Sequence, residues 1–341
     1  MLSVESSQRL CRNAGMKKQQ FKFGSAKAAL FTSLSLISAL VPAAPAGAAE
    51  PVKVIIDTDI GDDIDDAFAL ALAVTSPKLS VLGVTTAWVD TERRVWLTRR
   101  LLAALGRPDI PVAQGPKTAT KIEFTQSAWA EGAADKSKAP DAVPFLAGMV
   151  AKYPGQITLI ALAPLTNIDA LTKADPKILT GFKSAVMMGG SIHAGYNTYG
   201  AIRNPVPSAE YNIASSPQGL RSLLNSGLPV TMFPLDASQI KFDEVRRDHV
   251  LGFGSAATDA LAALYHQWRL RNAWGQVTPT LFDSSPVAWL QDPTLCQPKA
   301  AHVEVDDKGF TKLDEGPANV SVCLSINEDA VVKATVDQLA P

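Results

Sequence analysis

The sequence predicts an α/β domain built on a mostly parallel central sheet flanked by helices. Short β-rich runs alternate with longer helical patterns from Val52 onward. Several of the runs are almost continuously apolar, the pattern of strands covered on both faces. No internal repeat, low-complexity stretch or composition shift marks a linker, so residues 49–341 form one domain.

In order, Val52–Ile56 reads as a strand and Asp65–Val74 as an apolar helix stopped by Ser76-Pro77. Leu79–Thr85 is a second strand, followed by a charged amphipathic helix, Thr91–Leu105, that Gly106-Arg107-Pro108 ends. Ile110–Ala113 is a third. The Ala-, Lys-, Ser- and Thr-rich segment 117–140 has weak periodicity and reads as a surface loop with at most a short helix. Ile157–Ala161, Ser184–Met188 and Val230–Phe233 are buried strands. Asp259–Trp268 is helical, His302–Val305 and Val320–Ile326 are strands, and a helix starts at Glu328.

Composition excludes disorder and fibrous repeats: 47% of the 341 residues are hydrophobic and 19% charged. Near-balance of 32 Lys+Arg against 33 Asp+Glu leaves no electrostatic footprint for nucleic acid. The first 48 residues differ from the rest. Six basic residues (Arg9, Arg12, Lys17, Lys18, Lys22, Lys27) stand against Glu5, an apolar run covers Ala28–Val41, and Ala46-Gly47-Ala48 offers an A-x-A site. That is the layout of a secretory signal peptide, and the run is too short for a bilayer span. Met16, directly before Lys17-Lys18, is an alternative start. Without residues 1–48 the chain keeps 26 basic and 32 acidic residues, a net charge of −6. The expected product is secreted or periplasmic, with no membrane contact once the signal is removed. Cys296 and Cys323 are then its only cysteines, in an oxidising compartment; their spacing fixes neither a bond nor its absence.

The segment Asp57-Thr58-Asp59-Ile60-Gly61-Asp62-Asp63-Ile64-Asp65-Asp66 places six carboxylates in ten residues directly after the first strand. Strand ends are where open α/β sheets place sites. Oxygen donors with no His or Cys nearby suit a hard cation, Ca²⁺ or Mg²⁺. A second polar set, Asn204 through Asn212, places Glu210 and Asn212 on one side of an extended segment, where carboxylate and amide suit vicinal sugar hydroxyls.

These residues fall into five blocks: Asp57-Thr58-Asp59-Ile60-Gly61 with Asp65-Asp66-Ala67, Ala163-Pro164-Leu165-Thr166-Asn167, Met188-Gly189-Gly190, Ala209-Glu210-Tyr211-Asn212-Ile213, and Phe282-Asp283. In order and separation they resemble the signature of the inosine-uridine nucleoside hydrolases, from about Val52 to the C-terminus. The resemblance implies a single Rossmann-like domain, a bound Ca²⁺, a homodimer or homotetramer, and a small-molecule nucleoside as partner. It also implies cleavage of the N-glycosidic bond by a metal-bound water. Carried over by block, Asp59 is metal ligand and base, with Asp66, the Thr166 main-chain carbonyl and Asp283 as further ligands. Asp65, Asp90, Asn204, Glu210 and Asn212 hold the ribose, with Asp283 near the 2′-hydroxyl.

The chain departs from that pattern in three places. Two residues are inserted in the acid run, so Asp62-Asp63 competes with Asp65-Asp66; the second pair is preferred because Ala67 and the apolar helix follow it. Asp90 stands where many members carry a sugar-contacting asparagine, and an acid there resembles the purine-preferring branch. Phe282 replaces the histidine that commonly precedes the last metal aspartate, removing a general acid. Aromatic stacking on the base is the remaining route, with Trp88, Tyr265, His266, Trp268 and Trp274 as candidates; His193 reads as a loop histidine. The rival readings are a Mg²⁺ phosphohydrolase with an aspartyl nucleophile, which Gly61 disfavours, and a non-catalytic nucleoside- or ribose-binding protein of the same fold.

Overall fold

The computed structural model describes residues 50–198, 202–272 and 275–341. Its strands are β1 (Val52–Thr58), β2 (Leu79–Thr86), β3 (Val112–Gln114), β4 (Thr158–Ala161), β5 (Ser184–Met188), β6 (Gly195–Thr198), β7 (Ile202–Asn204), β8 (Val230–Phe233), β9 (Lys299–Val305), β10 (Thr311–Asp314) and β11 (Val320–Val322). Nine of them form one sheet in the order β10-β9-β11-β8-β5-β4-β1-β2-β3, and β6 and β7 form a separate hairpin. The seven strands from β11 to β3 pair in parallel, while β9 and β10 add an antiparallel edge. The proposed signal segment lies outside the described residues.

The chain runs β1, β2, β3 toward one edge and returns with β4 on the other side of β1. This reversal leaves a crevice at the carboxyl ends of β1 and β4, where an open α/β sheet admits a ligand. β1 is buried from Val54 to Thr58, and β4 along its whole length. Their apolar side chains fill cores on both faces of the sheet, Ile56 and Ile160 on one and Ile55 and Leu159 on the other. Helix Asp65–Thr75 is buried from Asp65 to Val74, because the helices Ser284–Gln291 and Glu328–Leu339 pack on the side it turns from the sheet. That double burial is why its sequence is apolar all round rather than striped.

As expected, segment 117–140 is mostly loop with one short helix, Ser127–Glu131, stapled to its neighbour by Arg100 stacked 3.8 Å over the Trp129 ring. Two elements differ from the sequence expectation. The polar β6–β7 hairpin has no apolar alternation to announce it. Val320–Ile326 stops as a strand at Val322, since Asn327 caps the C-terminal helix by accepting from the Ala330 N–H. Cys296 and Cys323 are joined by a disulfide that closes the 27-residue separation between them beneath β8.

Candidate active site

The acid run leaves β1 and enters the helix Asp65–Thr75, so the sheet end and the helix N-terminus present its carboxylates together. Asp65 and Asp66 occupy the first helical turn, where the helix dipole favours negative charge. Asp283 enters from the opposite direction as the N-cap of Ser284–Gln291, but its carboxylate caps nothing. Oxygens of Asp65, Asp66 and Asp283, all buried, lie within 4.8 Å of one another. Thr58 Oγ1 donates to Asp66, and the Asp66 amide donates to Asp65 Oδ1 at 3.0 Å.

Burial is the main force raising the pKa of every acid in this group. Asp63 is pushed to about 6 and Asp66 to about 7. Asp65 and Asp283 are pushed well above the carboxylate range, with their neighbours' negative charge as the next cause. Asp59 is raised by burial and then by Asp66. Carboxylates crowded in this way ionise together only if a cation joins them. Among the described residues the buried cation beside them is Arg94, whose hydrogen bonds go to the Asp59 carbonyl, the Ile60 carbonyl at 3.0 Å, the Trp88 carbonyl at 2.9 Å and Asp62 Oδ2 at 2.6 Å, and whose charge offsets the rise of Asp59 and Asp66 only in part. A buried all-oxygen set whose carboxylates outnumber the one guanidinium beside them fits a hard divalent cation. Asp62 is spent on Arg94, so of the two competing pairs it is Asp65-Asp66 that converges with Asp283.

These acids form one wall of a cavity of about 520 Å³, within the range of small-molecule sites. Asp59, Asp65, Asp66, Asp283, Glu210 and Asn212 all line it. Glu210 is the N-cap of the helix Tyr211–Ser215, and Asn212 sits in its first turn, so the segment expected to be extended is a helix start. Glu210 accepts from the Asn212 N–H at 2.9 Å, the Gly190 N–H at 3.0 Å and the Ile213 N–H at 3.1 Å. Gly190, at φ +85°, supplies the backbone turn that brings its amide there. Asn212 Nδ2 donates to the Leu162 carbonyl at 2.8 Å.

Other expected residues stand elsewhere. Thr166 opens the helix Thr166–Ala174, so its carbonyl points along that helix, and Leu162 is the residue of this segment on the cavity wall. Asp90 caps Thr91–Ala104 and pairs with Arg93 at 3.4 Å at the surface. Asn204 Oδ1 accepts from the Val206 N–H in the hairpin's exit turn. Neither Asp90 nor Asn204 is among the described wall residues.

The stacking candidates also divide. Tyr265 and Trp268, three residues apart on one helical face, are packed into the core, and His266 on the other face is exposed. Trp274 lies outside the described residues. Trp88 is buried behind the wall with its indole N–H on the Tyr211 hydroxyl. His193 is exposed, its amide held by Asp236. The aromatic wall is instead Tyr196, Tyr211 and Phe282, with Tyr196 edge-on to Phe282 at 6.2 Å. Tyr211 sits inside the quoted Ala209–Ile213 block and was legible there, whereas Tyr196 depends on the unpredicted hairpin.

Comparison with known proteins settles the family. The model of the inosine-uridine preferring nucleoside hydrolases matches residues 54–333. The chain belongs to this family. The pyrimidine-specific ribonucleoside hydrolase RihA of Photobacterium profundum is 28% identical over 314 residues, covering 84% of this chain and 98% of the relative. RihA of Salmonella enteritidis is 30% identical over 275 residues, covering 76% and 85%. Among solved structures, a plant nucleoside hydrolase superposes with a TM-score of 0.73 at 25% identity, over 85% of this chain and 99% of its own. The purine-preferring ribonucleoside hydrolase of Gardnerella vaginalis gives 0.71 at 25% identity, covering 84% and 98%. This nucleoside hydrolase is therefore an enzyme, a ribonucleoside N-ribohydrolase, rather than the binding protein or phosphohydrolase of the rival readings.

Proposed function

We propose that this nucleoside hydrolase is an exported, Ca²⁺-dependent enzyme that cleaves purine ribonucleosides to free base and ribose. The observation that carries the reading is the meeting of Asp65, Asp66 and Asp283, buried within 4.8 Å of one another, in the same cavity as Asp59. Asp59, Asp66 and Asp283 would hold the ion with a main-chain carbonyl. Leu162 replaces the expected Thr166 as its source, because Leu162 lines the cavity and Thr166 does not. When bound, Ca²⁺ would supply the positive charge that lets these acids stay ionised and acidifies a water.

The side chains divide the remaining work. Asp59 takes the proton of the attacking water. Asp65 and Asn212 hold ribose hydroxyls. Glu210, fixed by three amides, keeps its negative charge on the sugar side of the cavity without moving. The negative wall stabilises positive charge developing on the ribose as the glycosidic bond lengthens. A purine is favoured by the room in a 520 Å³ cavity beyond the ribose, and by Phe282 beside Asp283, where no side-chain acid serves the base. The RihA relatives, named for pyrimidines, mark the opposite outcome. Export is supported by the basic-apolar-A-x-A leader and by the Cys296–Cys323 bond, which persists in oxidising compartments. The dimer or tetramer expected from the resemblance remains part of this proposal.

The test is base release from inosine, adenosine, guanosine, uridine and cytidine, with EDTA and with Ca²⁺ added back. Purine release that EDTA abolishes and Ca²⁺ restores is expected; pyrimidine release alone would overturn the purine assignment. Deoxyinosine, lacking one hydroxyl that this wall binds, should be cleaved on the order of 10⁴-fold less efficiently than inosine.

A further inference from the structure

Two phenols line the cavity, and their hydrogen bonds leave them with different capacities. Tyr196 Oη donates to Glu210 Oε1 at 3.4 Å and accepts from the Tyr211 amide at 2.8 Å, so its proton is engaged. Tyr211 Oη lies 2.8 Å from Trp88 Nε1. An indole nitrogen is a donor only, so the phenol oxygen must accept there and its own proton is left over. Among the described residues that proton has no acceptor.

The arrangement that sets this up is strained. Trp88 and Val89 have φ of +67° and +53°, and a β-branched residue in that region is a rare outlier. Three contacts hold the turn: Arg94 Nε to the Trp88 carbonyl at 2.9 Å, the Val89 amide to Thr118 Oγ1 at 2.9 Å, and the Trp88 indole to Tyr211. Strain retained next to a reactive cavity, and spent on aiming one N–H, is a reason to look for a role at the group it aims.

We propose that the Tyr211 hydroxyl is the hydrogen-bond donor to the departing base, with Trp88 as the positioning residue that turns its proton into the cavity. As the bond from C1′ to the base nitrogen breaks, its electron pair passes to the base. The Tyr211 O–H stabilises that charge through a hydrogen bond to a ring nitrogen or carbonyl oxygen. No proton leaves the phenol. Burial, followed by the negative charge of Asp59 and Asp62, holds the Tyr211 pKa above the ordinary phenol range, so the donor stays protonated throughout the working pH range. The assignment rests on the hydrolase reading and supplies the leaving-group stabilisation that Phe282 cannot.

Leaving-group dependence tests it. Wild type, Tyr211→Phe and Trp88→Phe are assayed with inosine, with uridine and with 4-nitrophenyl β-D-ribofuranoside, whose nitrophenolate departs without help. Tyr211→Phe should lower kcat for the better nucleoside about 10–100-fold, as expected for a lost hydrogen bond to developing charge. That loss should exceed its loss on the nitrophenyl substrate at least tenfold. Trp88→Phe should show the same asymmetry at about 3–10-fold. Equal losses on both substrates would mean a structural role and overturn the proposal, as would an unaffected nucleoside rate. If Tyr211→Phe fails to fold, the Trp88→Phe asymmetry alone decides. A wild type inert on every substrate would sink the hydrolase reading itself, whereas an active wild type with an indifferent Tyr211→Phe sinks only this assignment.

Discussion

Opposite walls of the cavity carry buried carboxylates in contrasting states. Glu210 is as buried as Asp283, yet three backbone amides meet its oxygens, while the carboxylate of Asp283 makes no capping bond and faces Asp65 and Asp66. The first is a finished structural element that happens to face the ligand. The second is unfinished: burial and the neighbouring charges of Asp65 and Asp66 hold its pKa well above the carboxylate range. A satisfied acid stabilises its own loop, whereas an unsatisfied group of acids stores repulsion that ligand binding can relieve.

That contrast is most easily broken at Asp59. Asp59→Asn should lower kcat about 10³-fold with nucleoside binding largely kept, measured by steady-state kinetics and calorimetry; a loss under tenfold would remove it as the base. Next in size is the response to metal. In EDTA the melting temperature should fall as pH rises from about 4 toward 7. The folded-state values of Asp63 near 6 and Asp66 near 7 exceed the unfolded 3.8, so stability conferred by protonation is full below pH 4 and lost as pH climbs through them. Ca²⁺ at a thousandfold excess over its dissociation constant should restore about 4 kcal/mol at pH 7.

Smaller effects sharpen the comparison. Glu210→Gln should destabilise the metal-free protein by about 1–3 kcal/mol, because an amide cannot accept from all three N–H groups. Asp66→Asn should stabilise the same protein by about 1 kcal/mol by removing a charge from the repelling group. If the two variants shifted denaturant midpoints in the same direction, the distinction between the walls would be lost.

The sequence made the sheet and the acid wall legible for related reasons. β1, β4, β5 and β8 are buried on both faces and read as largely apolar runs; of the six carboxylates at the end of the first, Asp57 is held by Thr85 and Asn167 and Asp62 by Arg94, while Asp65 and Asp66 converge with Asp283. Arg94 could not be found that way. It sits in a charged helix among Arg93, Arg99 and Arg100, and only packing shows that it alone turns inward to tie Asp62 and the Asp59 and Ile60 carbonyls. Tyr265 and Trp268 lie in the core rather than on the cavity wall because their spacing is that of a helical face, which sequence cannot assign to core or cavity. Leu162 rather than Thr166 lines the cavity because the strand ends at Ala161 and the helix that follows starts at Thr166.

The central claim is that Asp59, Asp66 and Asp283, with Asp65 beside them, form a cation site completed by ligand rather than by protein. Calorimetric titration of Ca²⁺ into the EDTA-stripped enzyme tests it most directly, with Asp283→Asn in parallel. One ion per chain, bound with an affinity that the substitution lowers at least tenfold, is the predicted result. No binding heat and no shift in melting temperature for the wild type, or identical isotherms for the two proteins, would contradict it.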